Sequence, residues 1–415
     1  MLAQIVLLLL FLLTAVAVTW RPGRLPEGWW PIVAGLVALV AGAIPLATAA
    51  QGLSSSLNVL AFFAGLLLLA WALRVNGSSG QLIDRMERWS GASGRKLLVA
   101  VAVATVVVTA LLSNDAVALL LAPELLLRLQ RRGLAMTPFV LTMAFTANAA
   151  SALLPISNPV NLLVLDRSHI SLVSYLGTVT PAAVVGVVIT VLGCLLVTGR
   201  SLRQDHVFPA ESLRERPAHR PASRWITGLI ALLVLTDIGF AVARLPIGPP
   251  TLGAGALAAL GVGLTTEPRR GPRGLGWSIL ALVAGFSVLA SGLGNSPWLA
   301  ATMDRLVVGT SWMTGVSTGL VTALISGMIN NLPAALLVTA GLQAAHHLGT
   351  LTLPAIVGAD LGPNLAPFGS LSTILILGVV RGQGEPVPWR RVFRLGVIVG
   401  PLALLPTLLL VALAR

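Results

Sequence analysis

Residues 97–127 read LLVAVAVATVVVTALLSNDAVALLLAPELLL, apolar except for Ser113, Asn114 and Asp115 in a row near the middle. A carboxylate and an amide inside a membrane-length apolar run are costly to bury, and such residues mark functional positions. The length is equally informative. One crossing takes about 20 residues at a rise of about 1.5 Å each. The stretch has 31, too many for one ordinary crossing and too few for two. Arg95 and Lys96 precede it, and Arg128, Arg131 and Arg132 follow it. Basic clusters mark cytoplasmic loops, so both ends lie on one side. A re-entrant helical hairpin fits, with about 15 residues in and about 12 out around a turn at Ser113–Asp115.

The rest of the chain agrees with a membrane location. It has 415 residues, 56% hydrophobic and 10% charged, with a mean hydropathy of +0.91. No soluble domain buries that much apolar surface. The long Leu-, Val- and Ala-rich runs favour helices over barrel strands, which alternate over about 10 residues. All but Lys96 of the 27 basic residues are arginine, spread over short loops. They read as topology signals rather than as a nucleic-acid surface. One cysteine, Cys194, excludes an intrachain disulfide and any metal site built from several thiolates.

Taken in order, apolar spans are expected at 2–20, 30–50 and 58–74. The first lacks a basic segment before it, and Arg21 and Arg24 follow. It reads as a transmembrane helix with its N-terminus outside, not as a cleaved signal. After the hairpin, residues 137–165 hold Asn148, Ser151, Pro155, Ser157, Asn158, Pro159 and Asn161 mid-span. Two prolines there predict a broken helix. Residues 171–199 return to the cytoplasmic linker 200–224. Spans at 225–244, 249–266 and 277–294 follow, then a partly amphipathic connection at 295–311. Residues 312–345 repeat the hairpin design around Asn330, Asn331 and Pro333, but with few flanking basic residues, so this hairpin enters from the opposite side. Residues 351–380, with Pro363 and Pro367, form a second broken crossing, and 395–414 a last span whose end lies outside. Only Arg167, Arg244, Arg305 and Arg415 then face outward. The expected fold is an all-α polytopic membrane protein of two inverted repeats, 1–199 and 225–415. Each has about five spanning helices, one of them broken, plus one re-entrant hairpin.

An inversion leaves a sequence trace. Asn114-Asp115-Ala116-Val117-Ala118-Leu119-Leu120 matches Asn330-Asn331-Leu332-Pro333-Ala334-Ala335-Leu336 at an offset of 216. Ala147-Asn148 matches Ala359-Asp360 at an offset of 212, which sets Pro155 on Pro367. Two hairpin tips and two broken helices meeting near the midplane form a solute site.

NDAVALLLAP (114–123), ANAASALLPISNPVN (147–161), INNLPAALLV (329–338) and GADLGPNLAPFGSLST (358–373) together resemble the ArsB arsenite/antimonite efflux permeases of the ion transporter superfamily. The resemblance covers roughly 95–180 and 310–385. It implies a multi-pass plasma (inner) membrane protein that exports trivalent arsenic or antimony against the proton gradient, sometimes with a soluble arsenite-stimulated ATPase as partner. The family pattern often carries an acid where this chain has Asn148, which moves the proton role to Asp115 and Asp360.

The chemistry fits. Neutral As(OH)₃ is a small hydroxylated solute. Capture by three thiolates is excluded by the single cysteine, which leaves hydrogen bonding by amides, hydroxyls and helix ends. Asn114, Asn148, Ser151, Asn158, Asn330, Asn331, Asn364 and Ser370 supply those groups, and Asp115 and Asp360 are the candidate proton carriers. Pro155, Pro159, Pro363 and Pro367 break the helices. No cofactor is called for: the chain shows no metal-ligand cluster, nucleotide loop or nucleophile–histidine pairing, which argues against an enzyme. Structural readings compete. Asp115 suits the cap of a helix start, Asp237 suits a structural place facing Arg244 or a polar cavity, and His346–His347 suits a solvated turn. Na⁺/H⁺ antiport and silicic acid transport are the alternative activities within the superfamily. A Na⁺-coupled carboxylate carrier fits worse, since neither tip reads Ser-Asn-Thr and no Arg or Lys is embedded in a span.

Overall fold

Ser93 accepts from the Lys96 N–H and caps a helix, the favoured role of serine at such a position. That helix, Gly94–Leu111, is the first arm of the segment around Asp115. The chain then breaks at Leu112–Ser113 and re-enters helix at Asn114. The structure is a computed structural model that describes residues 2–20, 25–91, 93–131, 133–202, 224–243, 245–263, 276–306, 312–349, 351–366, 369–384 and 386–414.

In chain order the first half holds α1 (Leu2–Trp20), α2 (Trp29–Val40), α3 (Leu46–Ser54), α4 (Leu57–Val75), α5 (Ser78–Ser90), α6 (Gly94–Leu111), α7 (Asn114–Ala116), α8 (Ala122–Arg131), α9 (Thr137–Ala150), α10 (Pro159–Ser168) and α11 (Leu172–Thr198). The second half holds α12 (Arg224–Val242), α13 (Gly248–Gly263), α14 (Ser278–Leu293), α15 (Pro297–Leu306), α16 (Trp312–Ile329), α17 (Asn331–Ala344), α18 (Thr352–Leu361), α19 (Leu371–Gly382) and α20 (Trp389–Leu413). Among the described residues there is no strand. Among the described residues six helices are long and apolar enough to span a membrane, or seven if α14 and α15, bent by 87°, count as one span.

Three differences from the sequence reading have local causes. The expected span 30–50 divides into α2 and α3, because Gly42 takes φ +68° and Pro45 sits at the N-cap of α3. The arms around Ser113 are longer than expected, since α6 starts at Gly94 and α8 runs to Arg131. Both helices take in basic residues that the sequence reading gave to the loops. Between α7 and α8 the backbone is π-helical over Val117–Leu121. Pro123 explains this: it has no N–H for the Leu119 carbonyl and its ring crowds that turn. The chain widens instead, and the Ala122 N–H bonds to the Val117 carbonyl, a device common at functional sites. Most of the expected linker, 203–223, lies outside the described residues.

Helices pack through small residues, as is usual in membranes. α4 lies along α13 and α14 along α2 and α3. At the first interface a Cβ on Gly65 would sit 2.3 Å from the Thr251 carbonyl oxygen, and one on Gly255 would sit 2.2 Å from the Gly65 oxygen. Gly65→Leu therefore separates α4 from α13. The expected result is loss of the monodisperse peak on size-exclusion chromatography in detergent. Gly253→Leu on α13, where nothing lies within 4 Å, keeps it.

The contacts recur between the halves. α6 packs on α9 as α16 packs on α18, α9 on α11 as α18 on α20, and α11 packs on α20 itself. Each half also runs a helix, a 3-10 turn and a second helix in the same order: α9, Pro155–Ser157, α10, and then α18, Gly362–Leu365, α19. This recurrence brings both tips and both breaks together.

Candidate substrate site

Each tip is a capped helix start. Ser113 Oγ accepts from the Ala116 N–H at 3.1 Å, so the cap next to Asp115 is its neighbour Ser113. At the second tip Asn330 Oδ1 accepts from the Leu332 N–H at 3.4 Å. Asn330 holds φ +82° and ψ 150°, a region that is essentially glycine's own and costs about 1–3 kcal/mol for other residues. The caps align Ser113 with Asn330 and therefore Asn114 with Asn331, one position away from the pairing read in the sequence. The tips are docked by hydrogen bonds. Ser372 Oγ donates to the Asn114 carbonyl at 2.7 Å, and the Asn331 N–H donates to the Gly369 carbonyl at 2.9 Å.

Between the tips lies a cavity of about 30 Å³, room for two or three waters at about 10–15 Å³ each. Its polar lining is Asn114, Asp115, Asn158, Asn330, Asn331 and Ser370. Phe63 of α4, Ile279, Leu282 and Val283 of α14, and Leu332 and Leu371 supply apolar walls. No basic side chain is among the lining residues. Asn114 Oδ1 and Ser370 Oγ are buried and have no hydrogen-bond partner among the described residues. Buried polar atoms are nearly always satisfied, and these two leave acceptors on the cavity wall open to a solute or to water. A second, smaller cavity of about 10 Å³ adjoins it. Asp115, Phe63 and Ile279 border both, and Ser113, Leu66, Leu67, Ala70, Ala116 and Leu119 complete the smaller one.

The remaining sequence-predicted residues stand behind this cavity. Asn148 Nδ2 donates to Asn364 Oδ1 and to Thr373 Oγ1, both at 3.0 Å. Asn364 Nδ2 donates to the Phe145 carbonyl at 3.0 Å, and Ser151 Oγ to the Asn148 carbonyl at 2.7 Å. Asp360, 1% exposed, accepts from Asn158 Nδ2 on one oxygen and from Asn161 Nδ2 on the other, the latter at 2.7 Å. Asn161 also reaches the Ser151 carbonyl at 3.0 Å and the Tyr175 hydroxyl at 3.4 Å. Asn158 thus belongs to both groups: it lines the cavity and holds Asp360.

Thr373, Ser372 and Tyr175 are members that the sequence did not single out, and Asn161, noted mid-span, was not assigned to the site. The offset of 212 contains the signal for two of them. It sets Asn148 on Asp360 and Asn161 on Thr373, and the observed bonds are 148 to 373 and 161 to 360. These are equivalent contacts across the two halves. Pro155 opens the first 3-10 turn, Pro159 opens α10, and Pro363 lies in the second turn. Pro367 lies outside the described residues. Cys194 is buried in α11, away from the cavity lining. Among the described residues no three His, Cys, Asp or Glu side chains group to hold a metal. Asp237 accepts from the Thr251 hydroxyl on α13 at 3.2 Å, while Arg244, the partner expected for it, lies outside the described residues. His347 meets Asp304 at 3.1 Å.

A many-span helical chain with a small cavity between its two helix tips has the plan of a membrane transporter. Residues 8–359 match CitMHS, the citrate transporter family, and the chain belongs to that family. It is 28% identical to an arsenical pump membrane protein of Escherichia coli K12 over 97% of both chains. It is likewise 28% identical, over 97% of both chains, to the protein of the same name from Yersinia enterocolitica. Among solved structures its fold is similar to that of the Alcanivorax borkumensis YdaH transporter, with a TM-score of 0.59 and 19% identity, covering 88% of this chain and 85% of that one.

Proposed function

We propose that this protein exports trivalent arsenic and antimony as neutral As(OH)₃ and Sb(OH)₃, in exchange for protons, by alternating access. The observation that carries the reading is the cavity: small, without a basic lining residue, and bearing two buried oxygen atoms without partners among the described residues. A tricarboxylate such as citrate needs more room and cationic partners. A metalloid with three hydroxyls needs acceptors for its hydrogens and little space. The names of the full-length relatives support the same choice.

The exchange follows from the chemistry of Asp115. An ionised carboxylate only accepts hydrogen bonds; protonated, it becomes a donor and loses part of its acceptor capacity. As(OH)₃ bound through its hydroxyls favours ionised Asp115 together with Asn114 Oδ1 and Ser370 Oγ. A proton on Asp115 competes with it, and competition at one site is the requirement for antiport. Asp360 is the second proton-coupling candidate. It reaches the cavity through Asn158, whose amide it holds, so protonation there changes the cavity wall.

The architecture proposed for this cycle is two inverted repeats, 1–199 and 225–415, with re-entrant hairpins around Ser113 and Asn330. Both termini lie outside the plasma (inner) membrane, and the linker 200–224 is cytoplasmic. The recurring contacts of the halves and the equivalent pairs 148–373 and 161–360 support it. A soluble ATPase partner would then dock on the cytoplasmic side.

Everted vesicles with an acidic lumen test the function. Uptake of As(III) or Sb(III) that collapses with an uncoupler is the expected result, with no citrate uptake. Na⁺ or silicic acid flux without metalloid flux overturns the reading in favour of those carriers.

A further inference from the structure

Glu27 is a charged group that the exchange as described does not use. It precedes α2 and is tied to the start of α14: Ser278 Oγ donates to Glu27 Oε1 at 2.7 Å. The two backbones touch there, since a Cβ on Gly28 would lie 2.0 Å from the Ser278 carbonyl oxygen. The tie brings Glu27 to the end of α14 that carries Ile279, the residue after Ser278, which borders both cavities together with Asp115. α1 and α14, the helices packed on α2, carry no charged residue of their own. Under the proposed topology Glu27 lies at the cytoplasmic ends of α2 and α14, and the smaller cavity, with room for about one water, lies on that side of Asp115.

We propose that Glu27 is the relay through which Asp115 exchanges its proton with the cytoplasm. The step balances: the Asp115 carboxylic acid gives its proton through a water to the Glu27 carboxylate, leaving Asp115 ionised and Glu27 neutral. Glu27 then releases the proton to cytoplasmic water. Ser278 holds the Glu27 side chain in place for the transfer. As(OH)₃ binds from the cytoplasm only after Asp115 has lost its proton, so the relay controls net export and leaves substrate-for-substrate exchange untouched. This proposal rests on the proton-coupling role given to Asp115.

Two assays on everted vesicles containing the full-length protein separate the possibilities. In the first, Sb(III) uptake is driven by an acidic lumen. In the second, vesicles preloaded with unlabelled As(III) exchange it for labelled As(III) without a gradient. Glu27→Gln is expected to slow driven uptake roughly tenfold or more, with the largest deficit at high medium pH, and to leave exchange within twofold. Glu27→Asp restores driven uptake. Wild-type driven uptake in Glu27→Gln, or an equal loss in both assays, overturns the relay. Asp115→Asn in the same assays tests the reading beneath it. If Asp115→Asn uncouples transport while Glu27→Gln does not, the coupling role of Asp115 stands and the relay falls; if Asp115→Asn remains fully coupled, the relay falls together with that role.

Discussion

Asp115→Asn is expected to lower proton-driven As(III) uptake into everted vesicles by roughly a hundredfold while the protein folds normally. Asparagine keeps the shape of the side chain and its carbonyl acceptor but carries no exchangeable proton. The fold does not depend on the charge: Ser113 caps the helix start, and Asp115 borders the two cavities instead. Gradient-free exchange of As(III) should persist, weakened by the loss of one anionic acceptor, and its pH dependence should flatten. Driven uptake at the wild-type rate, with the wild-type pH profile, sinks Asp115 as the coupling group. Equal loss of exchange and driven uptake assigns it to binding alone.

How far the sequence announced this site depends on the kind of signal. Membrane helices are legible because bilayer thickness sets their length and because lipid leaves no partner for loose backbone. The tips were legible because Asn114-Asp115 and Asn330-Asn331 interrupt runs that are otherwise apolar. The extent of the arms was not, because Gly94–Lys96 and Arg128–Arg131 look like loop by composition yet continue the helices. Arg128 illustrates why: its guanidinium bonds Glu124 at 3.1 Å and Glu87 of α5 at 3.2 Å, a tertiary arrangement that no window of sequence contains. The split of candidates into cavity and supporting network was equally hidden. Asn148 and Asn158 look alike in sequence, and only the packing of α9 on α19 turns Asn148 toward Asn364 and Thr373 while Asn158 faces the cavity.

That supporting network makes the second large prediction. Asp360→Leu removes the common acceptor of Asn158 and Asn161; Asn161 keeps the Ser151 carbonyl and the Tyr175 hydroxyl, while the buried Asn158 amide loses its acceptor, at about 1–3 kcal/mol. Leucine occupies a similar volume, so the loss is polar rather than steric. Thermal unfolding in detergent is expected to show a clear drop in Tm and a lower yield of folded protein. Asp360→Asn keeps one acceptor oxygen and should fall between Leu and wild type. The equivalent position in the first half provides the internal comparison. Asn148→Leu also breaks two bonds, to Asn364 and Thr373, but both are between neutral groups, and hydrogen bonds to an ionised partner are roughly twice as strong. The expected order of damage is therefore Asp360→Leu above Asn148→Leu, although the sequence offset of 212 pairs the two positions and both are enclosed, at 1% and 2% exposure. Equal losses at the two positions mean that Asp360 serves as a neutral hydrogen-bonding group, which confines proton coupling to Asp115. A larger loss at Asp360 means that the anion itself holds Asn158 against the cavity, and the chemical asymmetry of the two halves then extends from the tips into the network behind them.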